Sequence, residues 1–143
     1  GQSYVQLTPL EMCKLFELIA NEGMLARTTL LKNGGNPPTK VLDYPKGYWT
    51  YFKEALGAVV SRPGGTAYSV FTGTPYAKDL AGKTGTAETG VEGVYHSWFA
   101  CFYPKADPVV TILVFVERGG YGSATAAPLA RQVFEAYQKY SFE

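Results

Sequence analysis

The sequence predicts an α+β fold, an antiparallel sheet flanked by helices. Three observations carry that expectation. Apolar residues recur at helical spacing near the start of the chain and again over 48–60. From Leu80 the pattern changes to three short runs rich in threonine, β-branched and aromatic residues, the composition of strands. After a glycine-rich turn, Leu129, Val133, Phe134 and Tyr137 return to one helical face. Helices gathered before and after a block of strands give α+β rather than alternating α/β.

Each element has a local reason. Thr8 is a helix cap, Pro9 suits the first turn, and Glu11 adds favourable charge there. Met12, Leu15, Phe16 and Ile19 form the apolar face, and Gly23 marks the stop. Met24 to Leu31 is short and mixed, suggesting extended chain. Lys32 to Lys46 carries two glycines and three prolines and reads as a loop. Tyr48 to Val60 is a second helix presenting Trp49, Phe52, Leu56 and Val59/Val60, ended by Ser61-Arg62-Pro63-Gly64-Gly65. Thr66 to Phe71 is a short helical turn. Leu80 to Ala87, Val94 to Tyr103 and Val109 to Glu117 are the strands, the last two joined as a hairpin by Pro104-Lys105-Ala106-Asp107-Pro108. Ser123 to Tyr140 is the final helix. The run Val109 to Val116 is almost wholly apolar, which calls for cover on both faces and a neighbour on both edges. Within the chain only its hairpin partner is evident, so a strand from outside these residues is expected beside it.

Composition narrows the function. The 143 residues suffice for one domain, read as 1–143, and 46% hydrophobic against 17% charged residues is globular. A net charge of +1 gives no electrostatic case for nucleic acid. No apolar run approaches the roughly 20 residues of a spanning helix. The opening Gly1-Gln2-Ser3 has neither the basic start nor the apolar stretch of a leader, as a mature or excised segment also would not. Cys13 and Cys101 read as two small buried hydrophobes, with a disulfide left open because sequence does not place their Cα atoms. His96 is the one histidine and no Cys or His pair has ligand spacing, so no metal is expected.

The chemistry concentrates in Lys83-Thr84-Gly85-Thr86. Ala77 to Thr84 also spells A-x-x-x-x-G-K-T, one residue from a phosphate loop. That reading needs a strand before the loop and a helix after it, and Gly85, Thr86, Thr89 and Gly90 are poor helix formers. The other reading is a strand lining an acyl-transfer cleft. Lys83 supplies positive charge, Thr84 and Thr86 supply hydroxyls for a carboxylate, Gly85 lets a ligand lie flat against the strand, and a backbone N–H stabilises an oxyanion.

Motifs around the tetrad extend this second reading. Gln2 with Leu7-Thr8-Pro9-Leu10-Glu11-Met12, Ile19-Ala20-Asn21-Glu22-Gly23, Gly65-Thr66-Ala67, Ala81 to Glu88, His96 with Trp98-Phe99 and Phe102-Tyr103-Pro104, and Ala126-Ala127-Pro128 occur in this order. Together they resemble the C-terminal half of the transpeptidase domain of a class B penicillin-binding protein, nearer its elongation-type than its septal members. Cys101 stands where that pattern usually has glycine. The resemblance implies a serine-type D-Ala-D-Ala transpeptidase that cross-links peptidoglycan stem peptides through an acyl-enzyme and binds β-lactams, without a cofactor. It assigns Lys83 to the proton and charge network, Thr84 and Thr86 to the terminal carboxylate, and the Thr86 backbone N–H to the oxyanion. It implies location on the periplasmic or extracytoplasmic face of the bacterial inner membrane, with membrane attachment only through regions N-terminal to this chain. A non-catalytic β-lactam sensor or scaffold of the same fold is the alternative.

The family's S-x-x-K and S-x-N motifs are missing. No serine of the chain is followed by Lys at three residues or by Asn at two. Without an activated hydroxyl no acyl-enzyme forms, so the chain alone is expected to be inactive and a second polypeptide carrying both motifs is expected as its partner. His96 fits either the cleft rim or a hydrogen-bonded structural role. Trp98 and Phe99 read as core, Arg118 to Gly122 as a rim loop or a plain turn, and Glu88 as a cleft-entrance or solvated residue.

Overall fold

Helix α1 (Pro9–Ala20) begins where its cap predicts. The Thr8 hydroxyl accepts the Glu11 N–H at 3.3 Å, while Glu11 Oε2 takes the Thr8 N–H at 2.7 Å and the hydroxyl proton at 2.8 Å. These donors, the backbone N–H foremost, hold the Glu11 carboxyl below its usual range. The chain leaves α1 through Asn21, and Gly23 adopts φ +90°, a left-handed turn open to glycine. This computed structural model describes residues 6–30 and 37–140. The opening Gly1-Gln2-Ser3 and the Gly34-Gly35 part of the expected loop lie outside the described residues.

One element escapes the sequence. Strands β1 (Met24–Leu25) and β2 (Thr39–Lys40) pair antiparallel as a two-residue ribbon. It is held against the end of α1, where the Gly23 carbonyl accepts from Val41 N at 2.8 Å and Leu42 N at 3.2 Å.

Helix α2 (Lys46–Ser61) starts two residues before its predicted bound and buries Trp49, Lys53, Gly57 and Val60, a stripe at helical spacing. The buried Lys53 donates to Glu22 Oε1 at 3.0 Å and to the Ala106 carbonyl at 3.4 Å, tying α2 to the end of α1 and to the hairpin loop. Gly57 leaves room for the Lys105 side chain, whose Nζ lies 2.9 Å from Glu54. A single turn, α3 (Tyr68–Phe71), follows as expected.

The sheet is the predicted one. Strands β3 (Ala81–Glu88), β4 (Tyr95–Tyr103) and β5 (Val110–Val116) run antiparallel in the order β3-β4-β5, with Lys83 opposite Ala100 and Phe99 opposite Val114. Residues alternate between its two faces. Phe99 and Cys101 join Val60, Phe71, Tyr76, Leu80 and Phe134 beneath α2, α3 and the last helix, α4 (Ala126–Tyr140). Ala81, Ala100 and Phe102 meet Phe16 and Ala20 of α1 on the other face. Among the described residues β5 pairs only with β4, and all seven of its residues are half-buried. Cys13 and Cys101 are both free thiols, and burial pushes the Cys101 thiol up to about 12.

Helix α4 starts three residues later than expected from Ser123. Its first N–H, on Ala126, donates to the Ser97 hydroxyl at 3.0 Å, so a side chain from the sheet caps it in place of a local serine. The helix is fixed at its middle by Glu135, which accepts from the Tyr76 hydroxyl and from Arg131 Nε at 2.8 Å each, while Arg131 also reaches the Val70 carbonyl at 2.8 Å.

Burial first, then the hydrogen bond to Glu135 and its charge, push the Tyr76 phenol up to about 12. Its folded value lies above the ordinary value near 10, so the neutral phenol stabilises the fold below about pH 10 and that contribution is lost as pH rises towards 12. Tyr76→Phe is therefore expected to remove a phenol titrating near 12 from the phenolate absorbance curve and to flatten the fall in stability across that interval. An unchanged curve contradicts the assignment.

Candidate functional site

Lys83, Thr84, Gly85 and Thr86 all lie inside β3, and the strand continues to Glu88 with no helix after it. Residues 72–79 ahead of it are turns, not a strand. The phosphate-loop reading is therefore overturned, because neither flanking element that would aim amides at a phosphate exists.

The pleat divides the four residues between two faces. Lys83 and Gly85 point with Trp98 and Ala100 towards α1, and all four residues of the tetrad, Thr84 and Thr86 included, line a cavity of about 300 Å³ bordered by Leu7, Met12, Phe16 and Leu113. Lys83 is exposed, and its Nζ donates to the Thr84 carbonyl at 2.6 Å. Gly85 is closely overlain, since a Cβ there would sit 3.1 Å from Trp98 Cβ. The Trp98 indole packs on Phe115 at 4.3 Å between centroids, and its buried Nε1 has no hydrogen-bond partner among the described residues.

Thr84 and Thr86 face the other way. The Thr84 side chain is nearly buried and its hydroxyl shares a 2.6 Å hydrogen bond with that of Thr66, ahead of α3. The Thr86 hydroxyl accepts the Gly122 N–H at 3.3 Å, which leaves its own proton available to donate. The expectation that both hydroxyls face one ligand thus meets a difference of two kinds. Thr84 shares its hydroxyl with Thr66, where either oxygen can be the donor, and Thr86 shares its hydroxyl with a loop.

That loop, Glu117 to Thr125, contains Arg118 to Gly122, whose sequence fits a rim loop or a plain turn. It is tied down along β4. Gly120 N donates to the Tyr95 carbonyl at 2.9 Å, Arg118 N to His96 Nδ1 at 3.1 Å, and the Ser97 hydroxyl to the Tyr121 carbonyl at 3.1 Å. Thr125 Oγ1 closes the loop on the Gly119 carbonyl at 2.6 Å. Gly122 lies so close to the strands that a Cβ would meet the Gly85 oxygen at 2.4 Å and the Trp98 oxygen at 2.5 Å. His96 is hydrogen-bonded, and Phe99 is core. Trp98 is half-buried on the cavity side, and Glu88 is exposed at the end of β3. Thr66 stands in one of the ordered motifs and Gly122 in the expected rim loop, but nothing local pairs them with Thr84 and Thr86, or Ser97 with α4, because these partners lie 18 to 36 residues apart.

Among the described residues no three His, Cys, Asp or Glu side chains gather as metal ligands, and no helix is long and apolar enough to cross a membrane.

Residues 1–135 match the family model of the penicillin binding protein transpeptidase domain. The chain is 30% identical over 159 residues to the peptidoglycan D,D-transpeptidase MrdA of Escherichia coli, covering 94% of this chain and 25% of that protein. It superposes with a TM-score of 0.84 and 29% identity on penicillin-binding protein 2 of Helicobacter pylori in its complex with MreC, over 99% of this chain and 26% of that one. Penicillin-binding protein A of Mycobacterium tuberculosis, solved as an imipenem acyl-enzyme complex, matches with a TM-score of 0.71 and 27% identity over 96% of this chain and 32% of that one. The chain spans about a quarter of the length of the curated transpeptidases it matches.

Proposed function

This chain belongs to the penicillin-binding protein transpeptidase domain family, and from that premise we propose that it is the substrate-cradling part of an elongation-type peptidoglycan D,D-transpeptidase acting outside the cytoplasmic membrane. The observation that carries the reading is β3 itself, a strand whose Lys83, Thr84, Gly85 and Thr86 line a cavity and whose outer edge, among the described residues, takes no partner strand.

The chemistry follows from what the chain contains and lacks. A serine from protein outside these residues attacks the penultimate D-Ala carbonyl of a stem peptide. The C–N bond to the terminal D-Ala breaks, and that residue leaves as an amine carrying the serine's proton. An amine of a second stem then displaces the serine oxygen, giving the cross-link. Lys83 places positive charge beside the reacting carbonyl. The Thr86 N–H is one oxyanion donor, and such a donor contributes about 100- to 1000-fold in rate. The Thr86 hydroxyl, with its free proton, is the carboxylate contact. Thr84, hydrogen-bonded to Thr66 and lining the same cavity, is the second hydroxyl for that carboxylate. β-Lactams enter as mimics of the D-Ala-D-Ala end and stop at the acyl-enzyme.

The test uses the complete protein carrying this segment and a fluorescent penicillin. A covalent adduct is expected, competed by D-Ala-D-Ala stem peptide, with acylation of Lys83→Ala slower by about 100-fold or more. No adduct on the folded protein overturns the proposal. An adduct with no cross-linking of stem peptides favours a sensor of the same fold.

A further inference from the structure

We propose that His96 is a positioning residue for this site: its imidazole fixes the loop that sets the Thr86 side chain against β3. The inference rests on the function proposed above and names a residue that this function does not itself use.

The geometry begins where β5 ends. Its last residue, Val116, pairs with Ser97, so β4 overhangs it by Tyr95 and His96. The loop takes the vacant ladder positions, and at His96 the acceptor is a side chain, with Arg118 N donating to Nδ1 at 3.1 Å. Nδ1 therefore carries the lone pair. The imidazole is itself seated on the Phe115 ring at 5.3 Å between centroids.

Arg118 needs that acceptor. Its φ is +55°, in the left-handed region that side chains other than glycine rarely adopt. This turn reverses the chain, so that Gly119 passes against Val116 and Ser97 and Gly122 reaches Thr86. The Gly122 N–H then donates to the Thr86 hydroxyl, which orients the remaining hydroxyl proton towards a ligand carboxylate. Imidazole, left-handed turn, Gly122 and Thr86 form one continuous mechanical chain, and His96 does not line the cavity beside Lys83.

Three variants of the complete protein test this, read by acylation with labelled penicillin and by amide hydrogen exchange at Arg118 and Gly122. His96→Phe keeps a ring on Phe115 and deletes the acceptor. It is expected to acylate about 10-fold more slowly, the scale of a small misplacement at a reacting centre, with faster exchange at both amides. His96→Asn, whose Oδ1 stands where Nδ1 was, is expected to restore acylation to within about 2-fold of the parent. Arg118→Gly placed on His96→Phe lets the left-handed turn form unaided and is expected to recover most of the loss, and it keeps the test open if the single Phe variant does not fold. Parental acylation in His96→Phe overturns the proposal. So does an Asn variant as slow as Phe with Gly122 exchange unchanged. If the parent protein takes no penicillin at all, the function proposed above falls, and the exchange at Gly122 alone decides for or against the His96 link.

Discussion

Replacing Gly122 by alanine is expected to slow acylation by about 100-fold. The added Cβ would lie 2.4 Å from the Gly85 oxygen, 2.5 Å from the Trp98 oxygen and 2.9 Å from the Gly85 nitrogen. All three are backbone atoms of paired strands and have no rotamer with which to give way. The loop must lift instead, and lifting it breaks the hydrogen bond to Thr86. Overpacking of this kind costs about 1–3 kcal/mol of stability, which a folded domain survives. The site suffers more, because displacement by about 1 Å near a reacting centre costs about 100-fold in rate. The measurement is the second-order rate of acylation by labelled penicillin in the complete protein, with thermal unfolding as the control for folding. Acylation at the parental rate would show that the loop and β3 move independently.

The second large effect is on stability. Phe134 of α4 is fully buried, with the Tyr76 and Tyr103 rings edge-on to it at 4.7 and 4.9 Å between centroids. Phe134→Ala removes the ring on which both tyrosines rest and detaches α4 from the sheet. A buried Phe→Ala change costs about 3–5 kcal/mol, a large part of the roughly 5–15 kcal/mol that holds a domain together. The urea midpoint is expected to fall by about 2 M, whereas Phe134→Leu, which retains much of the volume, falls by less than half as much. Equal losses for Ala and Leu would mean that ring geometry, not cavity size, governs the site.

The sheet was legible because each strand announced itself locally. β4 is an aromatic run and β5 an apolar, β-branched one, on either side of a loop with two prolines, and β3 is threonine-rich and bounded by turns. The three main helices were legible from their apolar stripes, and α1 from its cap. The β1–β2 ribbon was not, since two residues per strand carry no periodicity and its anchor is the Gly23 carbonyl. The start of α4 was misplaced because its cap is Ser97, 29 residues upstream.

The tetrad is legible in the sequence by residue type, and its division between two faces follows from the strand's pleat. A strand's period of two already requires that Lys83 and Gly85 part from Thr84 and Thr86. What each hydroxyl meets depended on Thr66 and Gly122, and no local pattern links those residues to the strand. The same holds for the 117–125 loop. Its glycines advertise freedom, whereas its hydrogen bonds to β4 remove that freedom.

Trp98 has one further use. Its indole N–H is shielded from solvent with no acceptor among the described residues, and its ring borders the cavity beside Lys83. The other tryptophan, Trp49, donates to the Tyr44 carbonyl at 3.2 Å in a separate part of the molecule. A Trp49→Phe background would leave Trp98 as the single tryptophan fluorophore of these 143 residues, sitting in an apolar recess with a blue-shifted emission. The segment then carries its own optical gauge of whatever enters that recess, readable without a label or an enzymatic turnover.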